Sequence, residues 1–130
     1  MDIVLDKLTD LYWPASASLA AFPLEWAKAH RFIEEMNAAA ELGYSDWRLP
    51  NRRELRSLIC RQSRRPALPG AHPFTQVDRV YWSSITSFYD PDWAWALYLD
   101  DGAVGVGQNA FARFGVWAVS DAEYKSASFL

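Results

Sequence analysis

The stretch Gly43-Tyr44-Ser45-Asp46-Trp47-Arg48-Leu49-Pro50-Asn51-Arg52-Arg53-Glu54-Leu55 packs a helix stop, a short buried strand and a helix start into thirteen positions. That density leaves the flanking chain few arrangements. Gly43 follows a long amphipathic segment, at the place where a left-handed helix cap is wanted. Trp47 and Leu49 alternate as a half-buried strand does, and Pro50 lacks the N–H needed to extend it. Asn51 then opens a second helix. Its side chain is placed to accept from the backbone N–H of Glu54 while the Glu54 carboxylate reaches back, a reciprocal cap whose loss typically costs about 1 kcal/mol.

Before this hub, residues 3–5 and 11–13 read as short strands around an Asp6-Lys7-Leu8-Thr9-Asp10 turn, predicted to pair in the sheet that joins the two chain ends. Residues 15–22 form a loop. Pro23 suits a first helical turn, and over residues 24–42 Trp26, Ala29, Ile33, Met36 and Ala40 make an apolar stripe with Glu34, Glu35 and Glu41 off it. After the hub, the second helix is expected from Arg52 to about Gln62, with Leu55, Leu58 and Ile59 inward. Residues 63–80 carry Pro66, Pro69, Gly70 and Pro73 and make a long irregular connection anchored by Phe74. Residues 81–84 read as a strand. In residues 93–99 the alternation puts Trp93, Trp95, Leu97 and Leu99 on one face, Asp100-Asp101-Gly102 signals a hairpin, and Val104 and Val106 continue on the return strand opposite Gly105 and Gly107. A closing strand is expected at residues 114–119. The sum is an α+β domain covering residues 1–130, with two helices packed on a mixed, mostly antiparallel sheet and long loops.

The hub from Gly43 to Asn51, followed by Glu54-Leu55, closely resembles the signature of the Legionella collagen-like (Lcl) C-terminal domain family, long catalogued as a domain of unknown function. The resemblance extends from about Ile3 to Ser120. Asp6-Lys7-Leu8-Thr9-Asp10-Leu11-Tyr12-Trp13 looks like the family's opening strand, Trp26-Ala27 and Asn37 fit its first helix, and Tyr81-Trp82-Ser83-Ser84 matches its Tyr-Trp-Ser-Ser element. Trp13, Asp46, Trp47, Arg48, Leu49, Pro50, Glu54, Tyr81, Trp82, Ser83 and Ser84 therefore form its structural signature here. The end departs from pattern: the family usually closes with a Tyr-Val-Arg-x-Val-Arg-like strand, where this chain has Phe114-Gly115-Val116-Trp117-Ala118-Val119-Ser120. The resemblance implies a C-type-lectin-like fold, which agrees with the α+β reading. It also implies relatives that bind sulfated glycosaminoglycans, form trimers as adhesins, and are often attached to exported proteins.

At 130 residues the chain can bury a substantial core without disulfides, and Cys60, its single cysteine, has no internal partner. No secretory signal is visible, because the first eleven residues carry Asp2, Asp6 and Asp10 where a basic start and an apolar run are required. No apolar run is long enough for membrane insertion. The net charge of −3 hides an asymmetry: Arg48, Arg52, Arg53, Arg56, Arg61, Arg64 and Arg65 supply seven of the thirteen basic residues. Beyond Trp82, Asp90, Asp92, Asp100, Asp101, Asp121 and Glu123 outnumber Arg113 and Lys125.

Chemistry-bearing residues are few. His30 and His72 have no spaced His or Cys partner for zinc, and Ser83-Ser84 lacks the Gly-x-Ser-x-Gly elbow of a catalytic serine. Formylglycine-generating oxidases share the implied superfold but use several reactive cysteines; Cys60 stands alone, with Arg56, Arg61 and Arg64 near it in sequence. Asp90-Pro91-Asp92 only imitates the motifs of calcium-dependent sugar binders, and turn chemistry accounts for Asp90, Asp92, Asp100 and Asp101. No enzyme activity, cofactor or metal is expected.

Two binding surfaces are predicted. Arg52, Arg53 and Arg56 share one face of the second helix, as an anion site or as a solvated face that pairs with the acidic half. Nucleic acid is not expected as a partner, because the chain is acidic overall and carries no nucleic-acid motif. The loop face over residues 87–95 and 103–113 offers Tyr89, Trp93, Gln108, Asn109, Phe111 and Arg113, aromatic anchors beside amides. The competing reading places Trp93, Trp95 and Phe111 in the core. The expected function is a non-enzymatic module that recognises a glycan, sulfated ones included, or a protein through its loop face, with the basic helix as a second contact. A variable protein of a diversity-generating retroelement and a structural, homo-oligomeric assembly domain are the alternatives.

Overall fold

A computed structural model of the chain describes residues 2–122; Glu123 and Lys125 of the charge pattern lie outside them. The elements run β1 (Ile3–Asp6), β2 (Leu11–Pro14), α1 (Trp26–Ala38), α2 (Arg52–Arg56), β3 (Val80–Thr86), β4 (Trp93–Tyr98), β5 (Ala103–Gln108) and β6 (Ser120–Asp121). The architecture is α+β. In place of one mixed sheet there are two three-stranded sheets, ordered β1-β2-β6 and β3-β4-β5, whose paired strands are all antiparallel. The β2–β6 pairing brings the two ends of the described chain together, as the opening strands predict.

Trp82 and Tyr81 point to opposite faces of β3 and divide the interior. On one face Trp82, Ala94 and Ala96 pack with Ala29, Ile33 and Met36 of α1, together with Trp47 and Leu49 of the hub. On the other, Tyr81, Leu97 and Leu99 pack with Leu55 of α2, Trp13, Leu68 and Trp117. The sheet is therefore covered by α1 on one side and α2 on the other. Gly107 keeps the α1 side close-packed: a Cβ there would collide with the ring of Phe114 and approach Trp82 to 3.0 Å.

The elements are shorter than their sequence patterns predict, each for a local reason. Helix α1 stops at Ala38; Ala40 and Leu42 take φ of 50° and 58°, and Gly43 takes 83° after a single 3₁₀ turn. Helix α2 ends at Arg56 instead of near Gln62. There the Ser57 hydroxyl donates back to the Glu54 carbonyl at 2.6 Å, and the Cys60 N–H donates to Ala67 across the loop in place of continuing the helix. The predicted strand at residues 47–49 reduces to one bridge, Arg48 with Val119. Residues 114–119 are not one strand either, because they bridge successively to Leu24, Tyr81 and Arg48. Among the described residues, no helix is long and apolar enough to cross a membrane.

Candidate functional site

The hub is held by its own polar side chains. Asn51 Oδ1 accepts from the Glu54 N–H at 2.8 Å and Glu54 Oε1 accepts from the Asn51 N–H at 2.9 Å, which is the reciprocal cap read from sequence. The same carboxylate receives both Arg48 Nη groups at 2.7 Å, and Arg48 also reaches Asp121 at 3.2 Å. Burial pushes the Glu54 carboxyl up, but hydrogen bonds from Arg48 and Asn51 and the Arg48 charge outweigh it and hold the group below its ordinary value. Arg48 is thus a structural cation. Asn37 in α1 completes the frame: its amide donates to the Trp47 carbonyl and accepts from the Trp47 N–H, both at 2.7 Å.

The signature residues of β3 are structural as well. Tyr81 Oη donates to Ala17 O at 2.6 Å, Trp82 Nε1 donates to Leu24 O at 2.7 Å, and the Ser83 hydroxyl caps both the N–H and the carbonyl of Ile85. The Asp46 carboxylate accepts from Ser120 at 2.8 Å.

With Arg48 turned inward and Arg65 placed apart beside Pro66 and Arg79, five arginines of the segment meet β4 and β5. Arg52, Arg53, Arg56, Arg61 and Arg64 line an open groove of about 1040 Å³ whose floor is Trp95, Ile59 and Val104 and whose far end is Asp101-Gly102. The Arg52 guanidinium lies over the Trp95 ring, 4.4 Å from its centroid. Stacking of this kind fixes the plane of the guanidinium while leaving its edge N–H groups to accept an anion. None of these five arginines forms an ion pair with a described residue, whereas Arg48, Arg79 and Arg113 all do. Arg64 donates only to the carbonyls of Arg61 and Ser63. Among the described residues that line the groove, the one carboxylate, Asp101, accepts from the Ala103 N–H within its own turn.

The sequence pattern alone points to Arg52, Arg53 and Arg56. Arg61 and Arg64 join them because the chain turns after α2, and the continuing basic run was the signal for it. The groove also corrects the placing of Trp95 in the core: it is half-buried, beneath Arg52.

The loop face divides into two kinds of residue. Phe88, Tyr89 and Phe111 are 91%, 90% and 82% exposed and Trp93 is 39% exposed, which corrects the core reading of Trp93 and Phe111. Gln108 and Asn109 are each partly engaged in holding their own loops. Gln108 Oε1 accepts from the N–H groups of Ala110 and Phe111, and Asn109 Nδ2 donates to Pro91 O at 2.9 Å, tying the two loops together. Arg113 pairs with Glu25 at 3.4 Å.

The remaining reactive groups have ordinary occupations. Asp90 accepts from the Asp92 N–H in a turn, and Asp100 pairs with Arg79 at 2.7 Å. Among the described residues, no three His, Cys, Asp or Glu side chains converge to hold a metal ion. His72 Nδ1 accepts from the Phe74 N–H, and His30 packs edge-on against Trp26. Hydrogen bonds from Ser63 and the Gln62 backbone lower the Cys60 thiol below its ordinary value.

A search of curated proteins returns no match. Residues 2–120 match the family model described as the Lcl C-terminal domain.

Proposed function

The chain belongs to the Lcl C-terminal domain family, and from that premise we propose that it is a non-enzymatic recognition module of C-type-lectin-like fold whose arginine groove binds a sulfated glycan. The observation that carries this reading is the set of five arginines without carboxylate partners among the described residues, gathered over an aromatic floor. Guanidinium groups bind sulfate and carboxylate bidentately, and the Trp95 ring and the stems of Arg52 and Arg56 offer apolar surface to a sugar ring. A solvated charged face needs neither a concave shape nor an aromatic floor.

A second reading rests on the exposed aromatics Phe88, Tyr89 and Phe111, which suit a protein contact of the kind a diversified receptor presents. The two are separated by an array of sulfated and neutral glycans at low and physiological salt, with calcium and with chelator. The groove reading predicts salt-sensitive binding to sulfated glycans that ignores chelator, is lost in Arg52→Ala/Arg56→Ala and survives Tyr89→Ala/Phe111→Ala. Calcium dependence, or the opposite pattern of loss, overturns it. Self-association abolished by changing either surface, with no glycan bound, indicates an assembly domain instead.

A further inference from the structure

The β4–β5 ladder is uninterrupted and runs beyond the groove, whose lining stops at Trp95 and Val104. Trp93 pairs with Gln108, Trp95 with Val106 and Leu97 with Val104, so Trp93 stands on the same face as Trp95, one pleat repeat further along. Trp95 is covered by Arg52, whereas Trp93 is 39% exposed although it lies on the middle strand of its sheet. Directly across from it, Gln108 spends its carbonyl on the Ala110 and Phe111 N–H groups, and its amide NH₂ donates to no described residue.

From this placement we propose that Trp93 and Gln108 form an uncharged sugar subsite continuous with the arginine groove, so that the ligand is an extended glycan chain, sulfated at the groove and stacked through an unsulfated ring face on Trp93. The inference rests on the groove reading above. The ladder from Tyr98–Ala103 to Trp93–Gln108 covers five residue steps, about 17 Å at strand rise. A single sulfated monosaccharide does not fill that length. The chemistry is graded along it: guanidinium groups at the hairpin end, a capped indole in the middle, and an open indole with one amide donor at the far end. An indole face with an adjacent donor matches a pyranose, whose C–H face is apolar and whose hydroxyls ring its edge.

The test is titration calorimetry of a heparin-derived disaccharide and octasaccharide against the wild type, Trp93→Ala and Trp93→Tyr, with thermal unfolding of each variant as the check on folding. In the expected result, Trp93→Ala weakens octasaccharide binding about tenfold, the effect of one anchoring aromatic. Disaccharide affinity then stays unchanged, and Trp93→Tyr retains most of the octasaccharide affinity. Equal loss for both lengths, or no loss for either, overturns the Trp93 subsite and leaves the arginine groove standing. No binding of either oligosaccharide to the wild type overturns the groove reading itself.

Discussion

Asn37 and Glu54 show how single polar side chains fix this hub. The Asn37 amide satisfies both backbone groups of Trp47, which lies 2% exposed between α1 and the closing segment. Asn37→Ala strands a part-buried donor and acceptor together, and we expect a loss of about 2 kcal/mol in urea unfolding. Glu54 supplies a pH dependence. Because its folded pKa is lowered, its stabilisation is fully present above the unfolded carboxyl's value of about 4.3 and is lost as pH falls through the lower folded value. Wild-type stability should therefore fall on acidification below that point, and Glu54→Gln should show a smaller acid-dependent loss in the same unfolding series. Arg48 is partly exposed, so the pair's contribution is screened, and because a glutamine amide oxygen still accepts from the Asn51 N–H, Glu54→Gln removes the charge while keeping the cap.

For the elements, how legible each one is follows from how local its cause is. The Asn51–Glu54 cap, the Asp100-Asp101-Gly102 hairpin and the β1–β2 pair rest on neighbouring residues, and the sequence pattern places them correctly. The early end of α2 rests on a bond from Cys60 to Ala67, and residues 114–119 take three partners in succession; no periodicity encodes either. The same distinction applies to the candidate site. The arginine run was visible, but the half-exposed floor was not, because the alternation of Trp93, Trp95, Leu97 and Leu99 describes one face without saying where its cover stops. Leu55 of α2 packs with Leu97 and Leu99, and the helix begins at Arg52 over Trp95, leaving Trp93 beyond it. Packing on the other face is tight enough to test directly. Gly107→Ala drives a methyl into Phe114 and Trp82, and we expect it to destabilise the protein by about 1–3 kcal/mol in denaturant unfolding.

Across the whole molecule, the net charge of −3 conceals a local field of opposite sign, since Arg48 is neutralised within the hub while five arginines gather over Trp95. A polyanion approaching this face meets five arginines that have no ion partner among the described residues, with Asp101 at the hairpin end. Trp95→Ala should weaken ligand binding without removing a charge, because Arg52 loses the stacking worth about 0.5–1 kcal/mol that holds its plane. The most direct test of the groove is the salt dependence of heparin octasaccharide binding, measured by calorimetry for the wild type and for Arg52→Ala/Arg56→Ala. The groove account predicts that the logarithm of the binding constant falls linearly with the logarithm of salt concentration, and that the double variant weakens binding and makes the slope shallower by about two counterions. Binding that is indifferent to salt, or a slope and affinity unchanged in the double variant, would contradict it.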